Sequence, residues 1–242
     1  MIAAEPPSSQ PFPADPPISL DDPTSIISND WRAFDALTEM TDHWDRPGWD
    51  AQTRRYYWFL TVDHAPAVVH QAQKCQQAIR HLELDNVPPD GLHVTVARIA
   101  DVTEVPAQKL TELLAAAERR CRDVDPFTVR AMPLTGSRGA IRFSLAPWRP
   151  LWDLHDAVRN ACTDVGITKV KPTASFRPHL GVAYCNRSMP AAPVQQAVAR
   201  IRALPQVDFP VTDVRLVELR RGRRRYEWKT LSTISLASSR DS

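Results

Sequence analysis

The stretch Phe176, Arg177, Pro178, His179, Leu180, Gly181, Val182, Ala183, Tyr184 decides how this chain reads. Leu180, Val182 and Tyr184 alternate with His179, Gly181 and Ala183, the period of a half-buried strand. Successive strand side chains point to opposite faces, so His179 and Gly181 are expected on one face and the larger apolar side chains on the other. Residues 91–98, Gly-Leu-His-Val-Thr-Val-Ala-Arg, repeat the pattern: His93 and Thr95 share a face while Leu92, Val94 and Val96 point away. Each strand opens with a histidine in an otherwise apolar run. The two are separated by roughly the length of a small α+β unit.

The 242 residues are 43% hydrophobic and 24% charged, which suits a globular chain with one large or two small cores. A formal net charge of +2 is too small to imply nucleic-acid binding by itself. Cys75, Cys121, Cys162 and Cys185 form no Cys-x-x-Cys pair, so neither a disulfide framework nor a zinc knuckle is expected, and a reducing cytoplasm fits. The first seven residues carry no basic start or apolar run, and no stretch is apolar enough to span a bilayer. These features point to a cytoplasmic enzyme or binding protein without a membrane partner, expected as a monomer.

Outward from the two strands, residues 1–28 are rich in Pro, Ser and Asp and read as a disordered tail. Ser28 or Asn29 is expected to cap a helix with Trp31, Phe34, Leu37 and Met40 at helical spacing. Together with Trp44 and Trp49, which flank the turn at Arg46, Pro47 and Gly48, it forms an accessory region over residues 29–55. The two tryptophans either staple that turn or line a substrate wall. Residues 56–236 form the main body, opening with an aromatic strand at 56–62 and a helix from Pro66. The His93 strand, a helix after Pro106 and strands at 127–134 and 140–145 follow. A helix at 151–165 and a loop lead into the His179 strand. A helix from Pro193 to about residue 204 and strands at 207–219 and 226–236 close the body, and residues 237–242 are expected to be flexible. The expected fold class is α+β: two pseudo-symmetric lobes of antiparallel sheet backed by helices around a central cleft, each lobe donating one histidine strand. The basic turn at residues 220–225 reads as a solvated hairpin tip or as an anion-attracting rim.

Of seven histidines, His43, His64, His70, His81 and His155 lie in polar helical surroundings and are read as solvated or structural. His93 and His179 differ, because each interrupts a strand whose other face is continuous aliphatic core. A pair of imidazoles suits acid–base displacement at phosphorus: one removes a proton from the nucleophile and the other protonates the leaving oxygen. An unperturbed pKa of about 6.5 makes both forms available near neutrality. Thr95, backbone N–H groups and a guanidinium could hold the nonbridging oxygens. No carboxylate cluster or metal-ligand spacing is visible, so no metal and no cofactor is expected. A metal hydrolase built on His93, His179 and Cys185 lacks a further ligand at helical or loop spacing.

His93-Val94-Thr95-Val96, the approach Phe176-Arg177-Pro178-His179, and the closing segment from Leu219 through Tyr226, Glu227 and Trp228 to Leu236 resemble the 2H phosphoesterases. The nearest branch is the bacterial 2′-5′ RNA ligase and cyclic phosphodiesterase group, and the resemblance covers residues 56–236. That family is marked by one His-x-Thr/Ser-x motif per lobe; the first matches fully, whereas Gly181 stands where the second expects Thr or Ser. The resemblance implies a bilobal α+β fold and cleavage of RNA 2′,3′-cyclic phosphates, usually to a 2′-phosphate. It also implies ATP-independent, reversible joining of RNA ends through a 2′-5′ linkage, with an RNA end or a cyclic nucleotide as partner. His93 and His179 would be the acid–base pair, Thr95 a phosphate ligand and Gly181 the position of its counterpart. Arg177 is a further candidate phosphate contact and Tyr226 a candidate for stacking on a base. The missing hydroxyl at 181 is expected to slow the reaction unless another donor substitutes. It also motivates an alternative, a weakened RNA-end or nucleotide binder that keeps the fold.

Overall fold

The computed structural model describes residues 12–237. In chain order, helix α1 (Pro23–Asp35) and strand β1 (Glu39–Met40) lead into β2 (Arg55–Thr61), α2 (Pro66–Ala78), β3 (Asp85–Asn86) and β4 (His93–Asp101). Then come α3 (Ala107–Cys121), β5 (Phe127–Ser137), β6 (Ala140–Ala146), α4 (Arg149–Asp164) and β7 (His179–Tyr184). β8 (Met189–Pro190), α5 (Ala191–Ala199), β9 (Val207–Val211), β10 (Asp213–Gly222) and β11 (Arg225–Ser235) complete it. Two antiparallel sheets dominate, one in the order β11-β10-β2-β4 and the other β3-β7-β6-β5-β9, with β1 and β8 as a separate pair. This is the expected two-lobed α+β fold, with His93 on one sheet and His179 on the other.

The lobes are not successive halves of the chain. β3 leaves the first half to pair with β7, and β10 returns from the C-terminal region to pair with β2. The helices cross over as well: α4 packs on β4 and α2 packs on β7 and β9. Helix α4 buries Leu151, Leu154, Val158, Ala161 and Cys162, the stripe expected of a helix with one face on a sheet. The expected strand at 207–219 is two strands in different sheets. β9 pairs with β5 and β10 with β2, the chain changing sheets at Thr212. Periodicity continues through that residue, so the break carries no pattern signal. The helix expected from Pro193 to about 204 is shorter and shifted, at Ala191–Ala199.

The N-terminal expectation needs a larger correction. Residues 1–11 lie outside the described residues, but residues 12–22 run along the body. Helix α1 starts at Pro23, with the Asp22 carboxylate accepting from the N–H groups of Thr24 and Ser25. Asp22 at the cap and Pro23 in the first turn outcompete Ser28 and Asn29, which sit inside the helix. Met40 belongs to β1. The segment is held because it does bury apolar surface. Ile26 and Phe34 are fully enclosed, each worth roughly 1.5–3 kcal/mol. Helix α1 also delivers Asp30 to β6, where its carboxylate accepts two bonds from the Arg142 guanidinium (3.1 and 3.2 Å) and one from Ser144 Oγ (2.6 Å). Both members of this ion pair are 1% exposed.

Candidate active site

β4 and β7 meet where the two sheets approach, and their first residues are the two histidines. His93 Nδ1 lies 2.8 Å from the Gly91 carbonyl, and His179 Nδ1 lies 2.8 Å from the Arg177 carbonyl. A carbonyl can only accept, so each neutral ring carries its proton on Nδ1 and leaves Nε2 without a partner among the described residues. Both rings line one cavity of about 220 Å³, together with Thr95, Gly181, Tyr184 and Tyr226. Four sequence candidates, His93, Thr95, His179 and Gly181, are thus brought together.

Each imidazole is crowded by an aromatic ring. Phe59 stacks on His93 (centroids 4.2 Å apart) and Phe12 packs on His179 (4.7 Å). The rings keep some solvent-accessible surface, yet burial pushes both pKa values down to about 4. For His179 the Arg142 charge adds to that effect, while for both rings the carbonyl bond opposes it. Phe12 is held by its own segment: Arg177 Nε and Nη2 donate to the carbonyls of Pro13 and Ala14, and Nη1 to those of Ala174 and Phe176. The Arg177 guanidinium is therefore committed to four main-chain oxygens. That corrects its expected role as a phosphate contact; it anchors the segment over His179. On the far side of Phe12 a second cavity, about 370 Å³, continues along β4 past Arg98, Lys169 and Lys171.

The accessory region builds one wall of the first cavity. His43 stacks on Tyr184 (4.0 Å) and its Nε2 lies 3.0 Å from Tyr226 Oη, while Arg46 Nη2 lies 3.2 Å from His43 Nδ1. Arginine can only donate, so Nδ1 accepts and Nε2–H donates to the Tyr226 hydroxyl. Burial, reinforced by the Arg46 and Arg221 charges, holds the His43 pKa down at about 2, so this ring stays neutral. Of the two alternatives, solvated or structural, the buried and hydrogen-bonded His43 takes the structural one, but on irregular chain rather than a helix. Sequence periodicity gives no sign of its place at the cavity, and only the density of Trp44, Arg46 and Trp49 around it is suggestive. Tyr226 lines the cavity, its ring edge-on to Tyr184 (5.7 Å). Trp49 lines the cavity, and Trp44 packs behind it on Tyr184 and Tyr226.

The alternation in β7 also fails at one point. Arg142 pairs with Gly181 but Ile141 pairs with Ala183, so Val182 is an extra residue in β7. Such a bulge reverses the faces beyond it. Tyr184, expected on the apolar face, comes round to the face of His179 and Gly181. A Cβ built on Gly181 would lie 3.5 Å from Tyr184 Oη. Cys185 is buried, its thiol donates to the Arg187 carbonyl, and it does not line the cavity of His93 and His179. Among the described residues no group of three or more His, Cys, Asp or Glu side chains could hold a metal ion. The basic tip is braced, Arg220 and Arg225 on Glu227, Arg225 also on Asp90, and Arg221 on the Trp44 carbonyl.

Solved structures share the fold. TT0787 of Thermus thermophilus aligns at 20% identity over 78% of this chain and 100% of its own, with a TM-score of 0.55. LigT of E. coli aligns at 19% identity over 77% of this chain and 99% of its own, also at 0.55. LigT has been solved in complex with 3′-AMP, and that structure matches at the same identity, coverage and TM-score. No curated protein gave a match. The model of the 2′-5′ RNA ligase superfamily matches residues 63–223, the span that carries both histidine strands. On that match, the chain belongs to the 2′-5′ RNA ligase superfamily.

Proposed function

We propose that the chain is a phosphoesterase that opens RNA 2′,3′-cyclic phosphate ends or small cyclic nucleotides by two-histidine acid–base catalysis. The observation that carries this reading is the matched pair of tautomers: two imidazoles on facing strands, each fixed by a carbonyl two residues upstream, each presenting Nε2 to one cavity. One neutral Nε2 takes a proton from water as its oxygen bonds to phosphorus; the other, as imidazolium, gives a proton to the ribose oxygen as that P–O bond breaks. The Thr95 hydroxyl is placed to hold a nonbridging oxygen. With the hydroxyl of a second RNA end attacking phosphorus in place of water, the same ring opening would join the two ends through a 2′-5′ linkage, the attacking O–H proton going to the basic Nε2 and the leaving ribose oxygen taking one from the imidazolium. The complex of LigT with 3′-AMP supports a nucleotide-sized occupant. The chemistry calls on no cofactor, and the protein acts as a cytoplasmic monomer; its four cysteines, all free and buried, accord with a reducing compartment. No helix among the described residues is long and apolar enough to cross a membrane.

The test is single-turnover cleavage of a cyclic-phosphate RNA by His93→Ala and His179→Ala beside thermal melts. Each change is expected to cost about 10² to 10⁴-fold in rate with the fold intact, and wild-type activity should persist in EDTA. A variant keeping more than about a tenth of the rate would defeat the assignment. Chelator sensitivity would point to metal chemistry. A second reading, an RNA-end or nucleotide binder with little turnover, draws on Phe12 packed against His179. Tight binding of the same RNA without cleavage would favour it.

A further inference from the structure

We propose that Tyr184 is the second phosphate-binding hydroxyl of this site, brought by the β7 bulge into the place that Gly181 leaves open; this rests on the two-histidine reading. The two strands supply the comparison. On β4, His93 is followed two residues later by Thr95 on the same face, at the cavity. On β7, the residue two after His179 is Gly181, which has no side chain to offer. The backbone there does not require glycine, because Gly181 lacks the positive φ of Gly48 and Gly166. What glycine provides is room. The three atoms nearest to a Cβ at 181 all belong to Tyr184: Oη at 3.5 Å, then two ring carbons at 3.7 and 3.8 Å. A hydroxyl therefore stands where the side chain of residue 181 would project, carried by a neighbour from further along the strand.

The ring that carries it is fixed. It stacks on the His43 ring at 4.0 Å with the planes 24° apart, lies edge-on to Trp44 (5.2 Å) and Tyr226 (5.7 Å), and the residue is 8% exposed. Its Oη nevertheless has no hydrogen-bond partner among the described residues, although it borders the cavity that both histidines line. Burial raises the phenol pKa, so the hydroxyl remains a donor wherever the imidazoles titrate. A donor on a rigid ring, open to the cavity beside an acid–base pair and without a partner among the described residues, suits an anionic oxygen. The ligand class is a nonbridging oxygen of a phosphodiester or phosphomonoester. The slow reaction that the missing hydroxyl at 181 would imply then does not follow, because the donor has moved rather than vanished. Without the Val182 bulge Tyr184 would point into the apolar core, so the bulge and the glycine work together.

The test uses the full chain with adenosine 2′,3′-cyclic monophosphate for turnover and adenosine 2′-monophosphate for calorimetric binding. Tyr184→Phe keeps the ring and its stack on His43 while removing the donor. It is expected to lower kcat/KM and weaken 2′-monophosphate binding, each by about 10- to 100-fold, at unchanged melting temperature. Gly181→Ser introduced into Tyr184→Phe returns a hydroxyl to the same place and should recover most of the loss. A purely structural role for the phenol would not give that rescue. Tyr184→Phe within about threefold of wild type in both assays, or a double variant no better than Tyr184→Phe, overturns the proposal. If wild type turns over no cyclic phosphate but the binding pattern holds, the catalytic reading falls and the role of Tyr184 stands. If wild type cleaves normally and Tyr184→Phe does too, the reverse is true. A wild type that neither cleaves the cyclic phosphate nor binds the 2′-monophosphate overturns both.

Discussion

Replacing Asp30 with alanine should damage this protein more than its place in a poorly patterned N-terminal segment suggests. The carboxylate is 1% exposed and accepts three hydrogen bonds, two of them from an Arg142 guanidinium that is itself 1% exposed. Arg142 Nε already lacks a partner, so the charge has nowhere else to turn. Breaking a buried pair from one side typically costs about 3–5 kcal/mol, since it strands the other charge out of water. Ser144 loses its acceptor as well, which adds about 1 kcal/mol. Against a typical domain stability of about 5–15 kcal/mol, that is a large share. Asp30→Leu combined with Arg142→Met removes both charges and should recover most of the loss. Urea titrations at matched slopes would measure it. A loss for Asp30→Ala below about 1 kcal/mol, or a double variant no more stable than the single one, would refute the reasoning.

Three further outcomes follow from the site. Burial holds His93 and His179 down at about 4, so the singly protonated pair needed for catalysis is most populated well to the acid side of 6.5. The kcat/KM profile on a cyclic mononucleotide should therefore peak below pH 6.5, and a bell centred at 7 or above would contradict it. The same depression, shared by His43 and His155, means that the unfolded chain binds more protons between pH 6.5 and about 4. Stability is then full above 6.5 and falls through that window by roughly 1.4 kcal/mol per pH unit for each histidine, to be read from denaturation midpoints; a flat profile from pH 7 to 5 would rule it out. Changing Arg223, Arg224 and Arg225 to serine should raise KM for an RNA oligonucleotide and flatten its salt dependence while sparing a cyclic mononucleotide; equal losses on both substrates would make the tip structural.

Both histidine strands are legible in the sequence because a polar ring in an aliphatic run breaks a period-two pattern only where the strand meets something polar. Thr95 is legible for the same reason. Tyr184 is not, since the Val182 bulge is set by pairing with β6 and leaves the apolar pattern of β7 untouched. Arg177 misleads because its position beside His179 is right while its bonds run to carbonyls of the N-terminal segment. His43 and Phe12 escape detection because they reach the cavity through tertiary packing of irregular chain, which has no period to read. Asp22 and Pro23 carry a readable cap signal, masked by the proline-rich composition around them.

The interleaving of β10 between β2 and β11 has a consequence for how the molecule comes into being. The sheet that carries His93 is incomplete until residues 213–235 have been made, and until then β2 presents a bare edge. Four of the five strands of the other sheet, β5, β6, β7 and β9, lie within residues 127–211. Tyr226, which lines the cavity beside His43, arrives on β11. A ribosome-bound chain thus holds both imidazoles before it holds the whole of the cavity they line, and that space is enclosed only when β11 is added.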